Sequence, residues 1–202
     1  NDICLVEINP EIKEDRRVTW KEYELIEPSS KTSYRREITW GVFNEKANRF
    51  ANLLIQRGIK KGDKVAILMM NGLEWLPIYF GILKTGALAV PLNFRYSAEE
   101  IEYCVNLAEA DILVFSNPFI GRVEEIADRI SKGRLLIYVG EGCPGFADDY
   151  NSLSANCSSQ SPMIPLTDED YAAIYFSSGT TGFPKAILHK HRSLTHSCKV
   201  EQ

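Results

Sequence analysis

Along the middle of the chain, short unbroken apolar runs alternate with longer stretches whose apolar residues recur every three or four positions. The runs are 65–70, 88–92, 112–115 and 135–139. Each is bounded by turn residues such as Lys61-Gly62-Asp63. An apolar run of this length without polar alternation reads as a strand buried on both faces. Between the runs lie helical patterns. Phe43, Ala47, Phe50, Ala51 and Leu54 share one helical face over 40–57, with Thr39 placed to cap its start and Gly58 its end. A second helix is predicted over 74–84, with Trp75, Leu76, Tyr79, Phe80 and Leu83 turned inward and Gly86 as its stop. Ser97-Ala98-Glu99-Glu100 forms a capping box that opens a third helix to Leu107, and a fourth runs over 118–130. Strands that alternate with helices in this way specify an α/β fold with a parallel sheet flanked by helices.

The flanks read differently. Residues 1–38 are polar and irregular, with Trp20 and Tyr23 expected to pack at the edge of the core. From Gly140 to Pro165 the composition shifts to Gly, Pro, Ser, Asn and Asp, the signature of a long surface connection. The predicted organisation is an irregular segment 1–38, an α/β subdomain 39–140, a linker 141–169, and the truncated start of a second α/β subdomain at 170–202.

Composition narrows the class only a little. The chain of 202 residues carries 23 basic and 27 acidic side chains, for a net charge of −4, with no block of one sign. Nothing in that balance points to a nucleic-acid partner. The 5 cysteines (Cys4, Cys104, Cys143, Cys157 and Cys198) are dispersed without a C-x-x-C pair, which fits a reducing, cytoplasmic setting better than a zinc site or a disulfide framework. The most membrane-like window, 73–92, is broken by Glu74, Lys84, Pro77 and Pro91. A spanning helix needs about 20 apolar residues, so no transmembrane segment is expected.

The candidate chemistry lies near the end of the chain. The apolar run Ala172-Ala173-Ile174-Tyr175-Phe176 gives way abruptly to Ser177-Ser178-Gly179-Thr180-Thr181-Gly182, then Phe183-Pro184-Lys185. A buried strand ending in small hydroxylic and glycyl residues makes a phosphate cradle. Gly179 and Gly182 allow the backbone to approach a ligand, and exposed N–H groups and hydroxyls converge on anionic oxygens. Lys185 adds a full positive charge. The two glycines are three apart and the lysine follows a proline, so this is not a Walker loop. A run that resumes at Ala186-Ile187-Leu188-His189 reads as a further strand, and a helix starts near His191.

Tyr175, Ser178, Gly179, Thr180, Thr181, Gly182, Pro184 and Lys185 fill every fixed position of the pattern Y-x-x-S-G-T-T-G-x-P-K. The chain therefore resembles the AMP-forming adenylating enzymes, most of all the acyl-CoA synthetases. Gly62-Asp63-Lys64-Val65-Ala66-Ile67, Asn71 with Glu74, and Gly86-Ala87 leading to Pro91-Leu92-Asn93 resemble the same family's upstream motifs in order and spacing. One departure is Ala186, where the family usually has glycine.

The resemblance implies a parent enzyme, a ligase, that activates a small-molecule carboxylic acid, fatty or aryl, with ATP and Mg²⁺ to an acyl-adenylate and passes the acyl group to CoA. It implies that Ser177, Ser178, Gly179, Thr180, Thr181, Gly182 and Lys185 hold the ATP phosphates and the departing pyrophosphate. It implies too that the adenine contacts, the Mg²⁺-associated carboxylate, the acyl pocket and the catalytic lysine lie outside these 202 residues. No catalytic residue and no metal ligand is assigned within the chain, which on this reading is an N-terminal part, inactive alone and prone to form homo-oligomers through its truncated edge. The alternatives are an amino-acid-activating adenylation domain and a non-catalytic nucleotide-binding module.

Overall fold

The computed structural model describes residues 2–9, 34–130, 133–177 and 183–200. Its centre is a seven-stranded sheet in the order β7-β6-β5-β3-β4-β8-β9. In chain order the strands are β3 (Lys64–Leu68), β4 (Leu88–Pro91), β5 (Ile112–Ser116), β6 (Leu135–Val139), β7 (Asp148–Asp149), β8 (Tyr171–Ser177) and β9 (Lys185–Lys190). All neighbours run parallel except β8 and β9, which form an antiparallel hairpin.

Helices cover both faces, and alternate strand residues feed two separate cores. Ala66, Leu68, Val90, Leu113, Phe115, Leu136 and Tyr138 face α3 (Ala98–Leu107) and α4 (Ile120–Ile130). Val65, Ile67, Ala89, Ile112, Val114 and Ile137 face α1 (Trp40–Gln56), α2 (Trp75–Thr85) and Tyr150 of α5 (Tyr150–Ala155). Burial on both sides is why these strands show no polar alternation. The helix ends follow the expected chemistry. Thr39 Oγ1 accepts the Val42 N–H at 3.3 Å, and Ser97 and Glu100 complete a reciprocal capping box at the start of α3. Gly86 ends α2 with φ +77, in the left-handed region that favours glycine.

Three expectations are corrected. Residues 1–38 are not wholly irregular: β1 (Ile3–Asn9) and β2 (Tyr34–Thr39) form a separate antiparallel pair. β2 reads as polar because Ile38 is the one buried core residue among 35–39, packed with Phe43 and Leu73. Trp20 and Tyr23 fall outside the described residues. Second, α2 buries Ile78, Tyr79 and Ile82, whereas Phe80 is exposed. That helix is apolar nearly all round, so its spacing could not select a face.

Third, the stretch 140–165 is more than a surface connection. It contains β7 and α5, and buries Tyr150 and Cys157 against the α1 side of the sheet. β8, within residues 170–202, joins the same sheet by pairing with β4. Ala172, Ala173 and Ile174 are accordingly buried, and the edge strand is β9, with Ala186, Ile187 and Leu188 exposed. The final helix, α6 (His191–Val200), starts where expected and has no buried residue.

Candidate phosphate-binding site

The helices after β3 and β4 lie on opposite faces of the sheet, α2 on one and α3 on the other. In open α/β sheets ligands bind outside the carboxyl ends of the strands at such a switch point. β8 lies beside β4 and parallel to it, so Ser177, the last residue of β8, emerges at that same end.

The hairpin then turns back. Ser177 is the direct cross-strand partner of Lys185, Phe176 of Ala186, and Tyr175 of Ile187. Directly opposed residues point to one face with Cβ atoms about 5 Å apart. Ser177 and Lys185 therefore form the two feet of the connecting loop, on one face of the hairpin. Lys185 is exposed and forms no ion pair among the described residues. Ser178, Gly179, Thr180, Thr181 and Gly182 lie outside the described residues. Of the seven residues expected to hold phosphate, the structure thus brings together the two that flank the loop.

Aromatic side chains hold both feet. On the α2 face the hydroxyls of Tyr175 and Tyr79 share a hydrogen bond, 2.9 Å between oxygens. Tyr79 stacks on Trp75 with centroids 5.4 Å apart, and Tyr175 meets His189 of β9 edge-on at 5.2 Å. Burial, then the hydrogen bond to Tyr175, pushes the Tyr79 phenol well above its ordinary range. On the α3 face the Phe183 ring lies 4.6 Å from that of Tyr103, and Pro184 is buried. Sequence reasoning did not single out Tyr103 or His189, and it took Tyr79 only for core. A partnership across 96 residues leaves no local signal.

The far end of β8 is a charged turn. Asp170 pairs with Lys61 at 2.8 Å and accepts the Thr167 N–H at 2.7 Å. Glu169 pairs with Lys190 at 2.8 Å and with Arg192. The backbone carbonyls of Asp170 and Asp168 accept the N–H groups of His191 and Arg192, closing the start of α6. Burial, partly offset by Asp170, lowers the His191 pKa. His191 is therefore a helix-entry residue. Its turn is separated from Ser177 by the length of β8, about 20 Å for seven residues at strand rise.

This donor set suits an anion. A hydroxyl and an ammonium at the mouth of a hairpin match phosphate oxygens, whereas the acidic turn sits at the wrong end of the strand to bring a metal to them. Among the described residues no group of His, Cys, Asp or Glu has metal-binding geometry. Clefts of about 440 Å³, beside β1 and residues 71–76, and about 280 Å³, at the charged turn, lie away from Ser177 and Lys185.

The chain is similar to known proteins. The AMP-binding enzyme family matches residues 14–201. A long-chain-fatty-acid–CoA ligase, FadD13 of Mycobacterium tuberculosis, is 31% identical over 170 residues, which are 84% of this chain and 32% of the relative. A crotonobetaine/carnitine–CoA ligase of Salmonella heidelberg is 35% identical over 165 residues, 79% of this chain and 32% of the relative. The crystal structure of the anthranilate CoA ligase AuaEII with anthranoyl-AMP superposes with a TM-score of 0.77 at 28% identity, over 81% of this chain and 32% of that one. The chain thus spans about a third of the length of the curated relatives it matches. With the match running from residue 14 to residue 201, the chain belongs to the AMP-binding enzyme family.

Proposed function

We propose that the chain forms part of an AMP-forming acid–CoA ligase and supplies its grip on the ATP phosphates. The observation that carries this is the pairing of Ser177 with Lys185 at the carboxyl end of the sheet. In the reaction a carboxylate oxygen bonds to the α-phosphorus while the bond to the bridging oxygen breaks, and pyrophosphate leaves with that electron pair. The CoA thiol then displaces AMP. A negative carboxylate is repelled by the triphosphate, so cationic and hydrogen-bonding groups on the β- and γ-phosphates ease both its approach and the departure.

Lys185 supplies charge for that task, and Ser177 with Ser178, Gly179, Thr180, Thr181 and Gly182 supplies hydroxyls and N–H groups. Mg²⁺ would neutralise phosphate charge further when bound. The acid is on this reading a fatty or aryl acid, in keeping with the relatives' names. The dispersed free thiols suit a reducing cytoplasm. We further read residues 170–202 as the opening of a second structural unit. The change of strand direction supports that: β8 and β9 pair antiparallel, whereas the strands before them in the same sheet are all parallel.

The test is ATP–pyrophosphate exchange in the complete protein that carries this chain, with fatty, aryl and amino acids offered in turn. Exchange that depends on a fatty or aryl acid, followed by CoA-dependent release of AMP, is expected. Exchange driven by amino acids alone would make it an amino-acid-activating domain. ATP binding with no exchange for any acid would make it a non-catalytic module.

A further inference from the structure

We infer that Tyr79 is a positioning residue for the phosphate-binding hairpin: its hydroxyl, bonded to that of Tyr175, braces the overhanging end of β8 and β9 against α2. The inference rests on the function proposed above and adds a residue to it from outside the phosphate loop.

The sheet leaves the end of this hairpin without a neighbour on the β4 side. β4 ends at Pro91, which has no N–H to donate, and its register with β8 is Ala89 opposite Ala173. With that register Pro91 is level with Tyr175, so Phe176 and Ser177 run past the end of β4, where their register is with β9. β9 is itself the exposed edge. Two strands extending past the body of a sheet can pivot together about the last attachment without breaking their own ladder. Ser177 and Lys185 stand at the free end of that lever, where a small rotation moves them furthest.

Side chains must therefore fix the lever. On the α3 face Phe176 packs on the core and Phe183 on Tyr103. These contacts are apolar and tolerate sliding. On the α2 face the fixture is directional. Tyr79 is buried in the α2 core, its ring clamped parallel to Trp75 at an interplanar angle of 11°. Its hydroxyl reaches Tyr175 two residues before Ser177, and Tyr175 in turn meets His189 on β9. The hydrogen bond thus ties β8 to α2, and the Tyr175–His189 contact carries the tie on to β9. A hydrogen bond fixes direction as well as distance, which is what a lever carrying two phosphate-binding groups requires.

The test uses this chain with Tyr79→Phe, Tyr175→Phe and the double substitution, each of which keeps the ring and removes only a hydroxyl. Two readouts are taken: amide hydrogen exchange at residues 175–177 and 185–187, and pyrophosphate affinity by calorimetry, with Lys185→Ala as the reference for a lost phosphate contact. Each single variant should exchange about three- to tenfold faster at the hairpin end, the range for one lost hydrogen bond, and lose pyrophosphate affinity by a similar factor. Exchange in β3 and β5 should stay as it was. The double variant should be no worse than either single one, because both remove the same bond.

A lowered unfolding midpoint with hairpin exchange and pyrophosphate affinity both unchanged would overturn the inference and leave Tyr79 a core residue. So would faster hairpin exchange with undiminished affinity, since the bond would then brace without positioning. If the unsubstituted chain binds no pyrophosphate, the phosphate-binding reading fails and the positioning role fails with it. If Lys185→Ala loses affinity while Tyr79→Phe keeps it, only the inference fails.

Discussion

Asp170 carries two loads at the foot of β8. Its carboxylate takes the Lys61 ammonium and the Thr167 N–H, and its backbone carbonyl takes the first N–H of α6. The Lys61 hydrogen bond, then the Thr167 N–H, lowers its pKa from 3.8 to about 2. A carboxyl whose pKa falls on folding binds fewer protons in the native state. Its contribution is therefore present above pH 3.8 and is lost as the pH falls towards about 2. In chemical denaturation as a function of pH, Asp170→Asn should lower stability near neutrality and flatten the decline between pH 4 and 2 relative to the unsubstituted chain. A decline of the same steepness in both would show that another group titrates there. The site exposes the same limit of reading at this scale. Lys185 was legible because a spaced motif names it, and Ser177 because a run of small hydroxylic residues opens there after an apolar strand, whereas Tyr79 and Tyr103 have no mark beyond being aromatic on a helix.

Among elements, the tightest junction is α1 on α2, and it is set by a missing side chain. A Cβ at Gly81 would lie 2.9 Å from the Ala47 carbonyl oxygen and 3.0 Å from the Phe50 ring, both fixed parts of α1. Gly81→Ala should therefore force the helices apart and cost about 1–3 kcal/mol, as overpacking does. Urea unfolding checks this, and an unchanged midpoint would mean that the helices shift freely. Strands and helix caps were legible because both announce themselves locally, through apolar runs and through Thr39 or Ser97 with Glu100. The face of α2 and the role of 155–160 were not.

Asn48 and Asn52 on α1, polar residues of a kind common at the surface, donate to the Ser159 carbonyl at 2.8 Å and to those of Ser158 and Gln160 at 2.7 and 2.8 Å. Arg49 does the same to Ala155 and Cys157 at 3.0 and 2.7 Å. A backbone carbonyl held by a side chain more than a hundred residues away is invisible to any local pattern, so a built-in segment read as a surface connection. β1 and β2 were missed for a related reason, since their partnership spans the segment 10–33.

At the scale of the whole molecule, two cores on either side of one sheet make the body, and the hairpin with α6 forms its least covered margin. Ile187 and Leu188 on the edge strand are 45% and 48% exposed, and α6 buries none of its residues. An unpaired edge with apolar side chains favours association. We propose that this chain self-associates there, and sedimentation should show dimers that a lysine at position 188 (Leu188→Lys) disperses; a monomer at all concentrations would refute it. The same margin carries the central claim, that Ser177 and Lys185 at the hairpin end grip the phosphates of ATP. The most direct measurement is calorimetric titration of pyrophosphate into this chain and into its Lys185→Ala variant. Loss of one charged hydrogen bond should weaken binding by about ten- to a hundredfold. Equal affinity in the two proteins would contradict the account and leave Lys185 an ordinary surface lysine.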